Sequence, residues 1–307
     1  MKTEQLEALV LDDLRQVNDI IRQHLNSDLL LVRQATECVL GANRLPLRAV
    51  VSLLTGRAFG FDVARHRALA AAIELINSAL TLHHAVVDVT GDVEAHAPTL
   101  FGNAGGTLLG DLFYTGAFKL ILKLDDLRVM RVLSDAISVT AEGEVMHHMA
   151  CRDAGLTTAR YLDVVRTRTA KLFEAAARSA AIIAGVTPDV EKALMLYGMH
   201  LGTASQLLAE LGDFAPETAP DATQPLSLSL PVVHAMRSGT AATAQRIHEA
   251  LLHDRRDDGP LITEAVMTSG ALEYARACAG DELQRARAAI SGLADCEFTE
   301  ALRRLPL

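Results

Sequence analysis

The sequence predicts an all-α protein on three observations: helical periodicity along most of its length, one long apolar segment without breakers, and no strand-like alternation closed by turn pairs. Leu6, Leu9, Val10, Leu14 and Val17 recur at spacings of three and four, and Leu120, Leu124, Leu127, Met130, Leu133, Ile137 and Val139 do so approximately. Side chains spaced in this way share one face of a helix. From Val63 to Thr90 there is neither Pro nor Gly, and Ala, Leu, Ile and Val dominate. A helix that apolar on all sides belongs in the middle of a bundle. The stretch from Gly110 to Gly143 reads likewise, apart from Gly116 near its start. Composition agrees: aromatics are 4% with no Trp, in a chain that is 50% hydrophobic. A β-sandwich would use more aromatic and Thr residues.

Breakers mark the connections in order. Gly41 to Pro46 separates the first helices, and Gly91 to Pro98 is a polar break after the central one. Gly185 to Pro188 reads as a helix end followed by a new start. Phe214 to Gln224 is rich in Pro, Thr and Asp, but helical pattern resumes at Leu230, so it reads as a loop within one domain spanning residues 1–307.

Charge excludes some functions. With a net charge of −9 the chain offers no basic stripe for phosphates, so a nucleic-acid partner is not expected. Glu4, Glu7, Asp12 and Asp13 do not suit a secretory leader, and no apolar run approaches the ~20 residues of a membrane span. Cys38, Cys151, Cys278 and Cys296 are scattered without zinc or disulfide spacing. The expectation is a cytoplasmic protein that does not cross a membrane.

Several segments carry a resemblance: AAIELINSALTLHHAVVD (Ala71 to Asp88), FGNAGGTLLGDLFYTGAFKL (Phe101 to Leu120), AEGEVMHHM (Ala141 to Met149), RTRTAKLFEAAARSAAIIAG (Arg166 to Gly185) and YGMHLGTASQLLAELGDF (Tyr197 to Phe214). With them the chain resembles the trans-prenyl diphosphate synthases over nearly its whole length, bacterial octaprenyl diphosphate synthases most of all. The resemblance implies an isoprenoid synthase-type helical bundle around a central cavity, usually dimeric. It also implies condensation of an allylic diphosphate with isopentenyl diphosphate.

Such chemistry needs concentrated positive charge. Ionising an allylic diphosphate leaves a carbocation and pyrophosphate, and Mg²⁺ ions held by carboxylates neutralise the leaving group. The family supplies them from two Asp-Asp-x-x-Asp motifs. At the first, this chain reads His84, Ala85, Val86, Val87, Asp88; at the second, Ala209, Glu210, Leu211, Gly212, Asp213. The metal-binding remnant is therefore Asp88, Glu210 and Asp213, with Gly212 expected to weaken the helix that carries two of them. The early Gly-Gly-Lys-Arg motif appears as Gly41, Ala42, Asn43, Arg44, and the family's His upstream of the first motif is Asn77. No Lys or Arg occurs from Ala68 to Phe118. The Lys-Thr pair is Arg168-Thr169 and the Phe-Gln pair is Ser205-Gln206. Matched in this way, Arg44, Arg168, Thr169 and Gln206 are the diphosphate-binding remnant.

These departures set the functional expectations. The first is a catalytically impaired synthase homologue, a non-catalytic subunit working as a homodimer or with an active polyprenyl diphosphate synthase. The second is an active or altered transferase using fewer Mg²⁺ ions, and the third is an isoprenoid or isoprenoid diphosphate binder. His84 and Asp88 share a helix face, with His83 and His96 nearby, but two ligands fall short of a zinc site. The family's first motif itself follows a His, which accounts for His83. Ala79 reads either as a gap in a product tunnel or as packing.

Overall fold

The computed structural model describes residues 3–41, 45–87, 102–215 and 226–305, without the side chains of 3–7, 85–87 and 103. Among the described residues every regular element is a helix, as the periodicity requires. In chain order they are α1 (Thr3–His24), α2 (Leu30–Leu40), α3 (Leu47–Phe59), α4 (Val63–Val87), α5 (Gly102–Lys123), α6 (Leu127–Ala150) and α7 (Thr158–Val165). There follow α8 (Lys171–Ile183), α9 (Pro188–Gly212), α10 (Leu230–Ser238), α11 (Ala241–Leu252), α12 (Gly259–Thr268), α13 (Ala271–Ala289) and α14 (Glu297–Arg303). A π-helical turn, Arg166–Ala170, joins α7 to α8.

The helices fall into two compact units whose segments alternate along the chain. The first comprises Met1–Ile137, Leu172–Gly198 and Ala289–Pro306; the second comprises Ser138–Lys171 and Met199–Ala288.

In the first unit α4 takes the central place that its composition demands. Leu69, Ala70, Ala71, Ala72 and Ile73 are all fully buried. Successive residues turn by about 100°, so five in a row leave no side of the helix open. Val50, Leu53 and Leu54 of α3 and Phe113 and Leu120 of α5 are buried with them. Farther along, α4 has one more open side, carrying Glu74, Asn77, Thr81 and His84 at spacings of three and four. Ala79 is fully buried. The Tyr197 hydroxyl, in α9, donates to Leu302 O in α14 at 2.7 Å.

In the second unit Tyr161, Val164, Val165, Leu207, Leu230, Val233 and Ala279 share one core. A neighbouring core joins Val232, Ile247, Ile262 and Val266, with Phe214 and Leu226 packed on it. The two residues flanking the Pro- and Thr-rich stretch thus pack in one cluster of one unit; residues 216–225 themselves lie outside the described residues.

Two expectations need correction. The apolar run from Gly110 to Gly143 is not one helix, because α5 ends at Lys123 and α6 starts at Leu127. Asp125 takes a φ of 50°, and the Asp126 carboxylate accepts the N–H groups of Arg128 and Val129 (3.0 and 3.3 Å), capping the new helix. The Glu142-Gly143-Glu144 segment lies within α6. Gly212 is the last residue of α9, so its helix penalty falls where the helix already ends.

Candidate diphosphate and metal site

The second unit brings together most of the residues matched to diphosphate and metal binding. Gln206 and Glu210 stand four apart on α9 and so on one face of it. The π-helical turn carries Arg168 and Thr169, α7 carries Tyr161, and Leu230 opens α10.

Hydrogen bonds run inward through this group. The Thr169 hydroxyl donates to Gln206 Oε1 at 3.2 Å, and Gln206 Nε2 donates to Glu210 Oε1 at 3.1 Å. The Tyr161 hydroxyl donates to the same Glu210 oxygen at 2.7 Å, with Leu228 O a second acceptor at 3.2 Å. Glu210 Oε2 accepts the backbone N–H of Leu230 at 2.8 Å. Ser229, the residue that precedes α10, makes no side-chain cap, so the Glu210 carboxylate serves that helix start instead. Arg168 Nε donates to Glu144 Oε2 at 2.8 Å.

Glu210 is only 4% exposed. Burial pushes its carboxyl above the ordinary range, against the opposing pull of Tyr161, Leu230 and Gln206. Burial, with Glu210 beside it, likewise drives the Tyr161 hydroxyl well above its usual value. The phenol therefore keeps its proton and donates it in a hydrogen bond to Glu210 Oε1.

Close backbone approach positions the Arg168 side of the site. A Cβ on Gly143 of α6 would lie 2.6 Å from both N and Cα of Arg168. Glycine there lets α6 meet the π-helical turn and sets Glu144, the next residue, against Arg168.

A magnesium ion does not fit this carboxylate. Glu210 Oε1 already accepts two donors and Oε2 a third, in an enclosed position. Mg²⁺ needs octahedral oxygen ligation and keeps several waters, for which there is no approach. Position 209 is Ala, and Asp213 is exposed beyond the end of α9. Among the described residues no group of three or more His, Cys, Asp and Glu is arranged to hold a metal.

Arg44, Asp88 and His96 are outside the described residues. His83 Nε2 faces α5, 3.2 Å from Thr107 O and 3.3 Å from Asp111 Oδ1, and its ring sits 5.5 Å from that of Tyr114. Sequence reasoning missed Tyr161. A signal existed, since the chain has just four Tyr and a buried phenol needs a polar partner. No helix among the described residues is long and apolar enough to cross a membrane.

Comparison with known proteins places this geometry in context. The sequence pattern of the polyprenyl synthetase family matches residues 31–267. The chain is 37% identical to the octaprenyl diphosphate synthase of Escherichia coli (strain K12), over 98% of this chain and 96% of that one. It is 36% identical to the Haemophilus influenzae octaprenyl diphosphate synthase, over 98% and 94%. Among solved structures, a Caulobacter crescentus polyprenyl synthase complexed with calcium and isoprenyl diphosphate superposes with a TM-score of 0.87, at 30% identity over 98% of this chain and 95% of that one.

Proposed function

The chain belongs to the polyprenyl synthetase family, and from that premise we propose that it is a synthase-type subunit that does not by itself ionise an allylic diphosphate. The observation that carries the reading is Glu210. At a position where the family places a metal-binding carboxylate, this side chain caps α10 and receives the Tyr161 hydroxyl. Thr169 and Gln206 are turned to it in the same chain of hydrogen bonds. Alongside this stand the losses at positions 84, 85 and 209, where the matching residues are His84, Ala85 and Ala209.

Assembly is the task that this reading leaves to the chain. One side of α5 presents Leu108, Leu112, Phe118 and Leu122 to solvent, Leu108 and Leu122 at 69% and 61% exposure. An apolar stripe of that kind favours cover by another subunit. The subunit is an active polyprenyl diphosphate synthase or a second copy of this chain.

A second reading, an active trans-prenyltransferase, is favoured by the 37% identity to the E. coli octaprenyl diphosphate synthase across nearly the full length. The experiment mixes purified chain with an active octaprenyl-type synthase and follows sedimentation and product length. Co-sedimentation with a changed rate or chain length is expected, and Leu108→Glu with Leu122→Glu should abolish it. A stable lone homodimer that leaves the synthase's products unchanged counts against the hetero-subunit form. Elongation by the chain alone supports the second reading.

A further inference from the structure

The first unit holds an open pocket of about 350 Å³ that none of the residues matched to diphosphate or metal binding lines. Its walls are Arg128, Arg131, Val132 and Asp135 of α6, with Arg178 and Ile182 of α8. The four α6 residues recur at spacings of three and four and so form one stripe. The volume falls within the ~300–1,000 Å³ of small-molecule sites.

One carboxylate holds two of the guanidiniums in place. Glu191, in the first turn of α9 and only 8% exposed, accepts Arg128 Nη2 at Oε2 (2.5 Å) and Arg178 Nε at Oε1 (3.0 Å). Each oxygen serves one arginine, and each arginine uses one N–H group and keeps the others. Arg131 is exposed and pairs with no carboxylate among the described residues. A tether from α6 and α8 to α9 explains Arg128 and Arg178. It explains neither the third arginine on the same stripe nor the pocket that all three line.

The lining has the chemistry of an anion site. Both oxygens of Glu191 are engaged, and Asp135 stands about two turns along α6 from Arg128, so positive charge is in excess at the Arg128 end. Guanidinium forks match the paired oxygens of phosphates and carboxylates. Fixing two of the forks beforehand lowers the freedom lost when a ligand arrives. Val132 and Ile182 give the same pocket an apolar wall.

We propose that this pocket binds a small organic oxyanion, a phosphate or carboxylate group carried on a compact apolar body, through Arg128, Arg131 and Arg178. The inference does not rest on the proposed function and holds whether or not the chain elongates prenyl diphosphates.

The test uses the full-length protein in EDTA, so that no metal-assisted binding or turnover enters. Calorimetry follows phenyl phosphate, benzoate and inorganic phosphate. Phenyl phosphate is expected to bind more tightly than inorganic phosphate, because its ring gains the Val132 and Ile182 wall. Arg131→Gln should weaken that binding about five- to tenfold, the effect of one charge-assisted contact. Asp135→Asn should tighten it several-fold by removing the carboxylate of the lining. Arg131 and Asp135 are both exposed, so neither substitution threatens the fold. Arg168→Gln, at a position matched to diphosphate binding, is the control and should change nothing. Tighter binding of phenyl phosphate than of benzoate assigns the headgroup to a phosphate; the reverse order assigns it to a carboxylate. No binding of any of the three, or unchanged affinity in Arg131→Gln, overturns the proposal. Affinity lost in Arg168→Gln but kept in Arg131→Gln overturns it equally, since the anion then sits at the diphosphate site.

Discussion

Glu210→Ala is expected to destabilise the protein by about 2–4 kcal/mol, a fall in thermal midpoint on the order of 5–10 °C. The substitution strands the Leu230 N–H at the start of α10, and a buried donor left without an acceptor costs about 1–3 kcal/mol. Tyr161 keeps Leu228 O as an acceptor, so its loss is partial. The emptied space beneath it adds to the total. Glu210→Gln retains one carbonyl oxygen and should lose less, about 1–2 kcal/mol. Thermal unfolding of the three proteins, each with and without millimolar Mg²⁺, checks both the size and the cause. If Glu210 is a structural acceptor, Mg²⁺ moves none of the midpoints. A loss below about 0.5 kcal/mol for Glu210→Ala, within the range of an ordinary surface change, would remove the structural role.

Gly143→Ala is expected to destabilise by about 2–3 kcal/mol, opposite in sign to the usual effect. Within a helix, exchanging Gly for Ala ordinarily gains about 0.5–1 kcal/mol, because the unfolded chain loses freedom. Here the added Cβ would fall 2.6 Å from backbone atoms of Arg168, which cannot swing aside as a side-chain tip does. Gly280, in α13, is the control: nothing lies within 4 Å of its added Cβ. Gly280→Ala should therefore stabilise by about 0.5–1 kcal/mol. Urea unfolding of the two variants gives the comparison. Equal signs would mean that α6 and the π-helical turn are not held at this distance. The Arg168–Glu144 ion pair should be lost only in the Gly143 variant.

What the sequence made legible follows from how local each feature is. The interior place of α4 could be read from Val63 to Thr90, because a helix apolar on every side has no solvent face to offer. Gly185 was legible as a helix end, and it takes a φ of 70° after α8. The break between α5 and α6 was hidden, since apolar residues flank it on both sides and a capping Asp126 looks like any surface acid. Gly143 was visible as a glycine but not as a crossing point, because the neighbour it admits, Arg168, lies 25 positions away. The same holds for Glu210. Matching a motif assigns the residue that should be there, whereas its partners Tyr161 and Leu230 come from elements 49 and 20 positions off. Periodicity reports which face is buried, and says nothing of which donors meet across it.

The central claim concerns charge at the leaving group. A positioned charge clamp contributes several kcal/mol to a transition state, and each ~1.4 kcal/mol is tenfold in rate. With Ala209 in place of a carboxylate and Glu210 committed elsewhere, the missing contributions compound. The direct measurement is incorporation of radiolabelled isopentenyl diphosphate by the purified chain alone, with farnesyl diphosphate and Mg²⁺. The account predicts a rate at least about four orders of magnitude below that of an octaprenyl diphosphate synthase assayed in parallel. Chain elongation at a comparable rate, abolished by Asp88→Ala or Asp213→Ala so that it belongs to this protein, would contradict it.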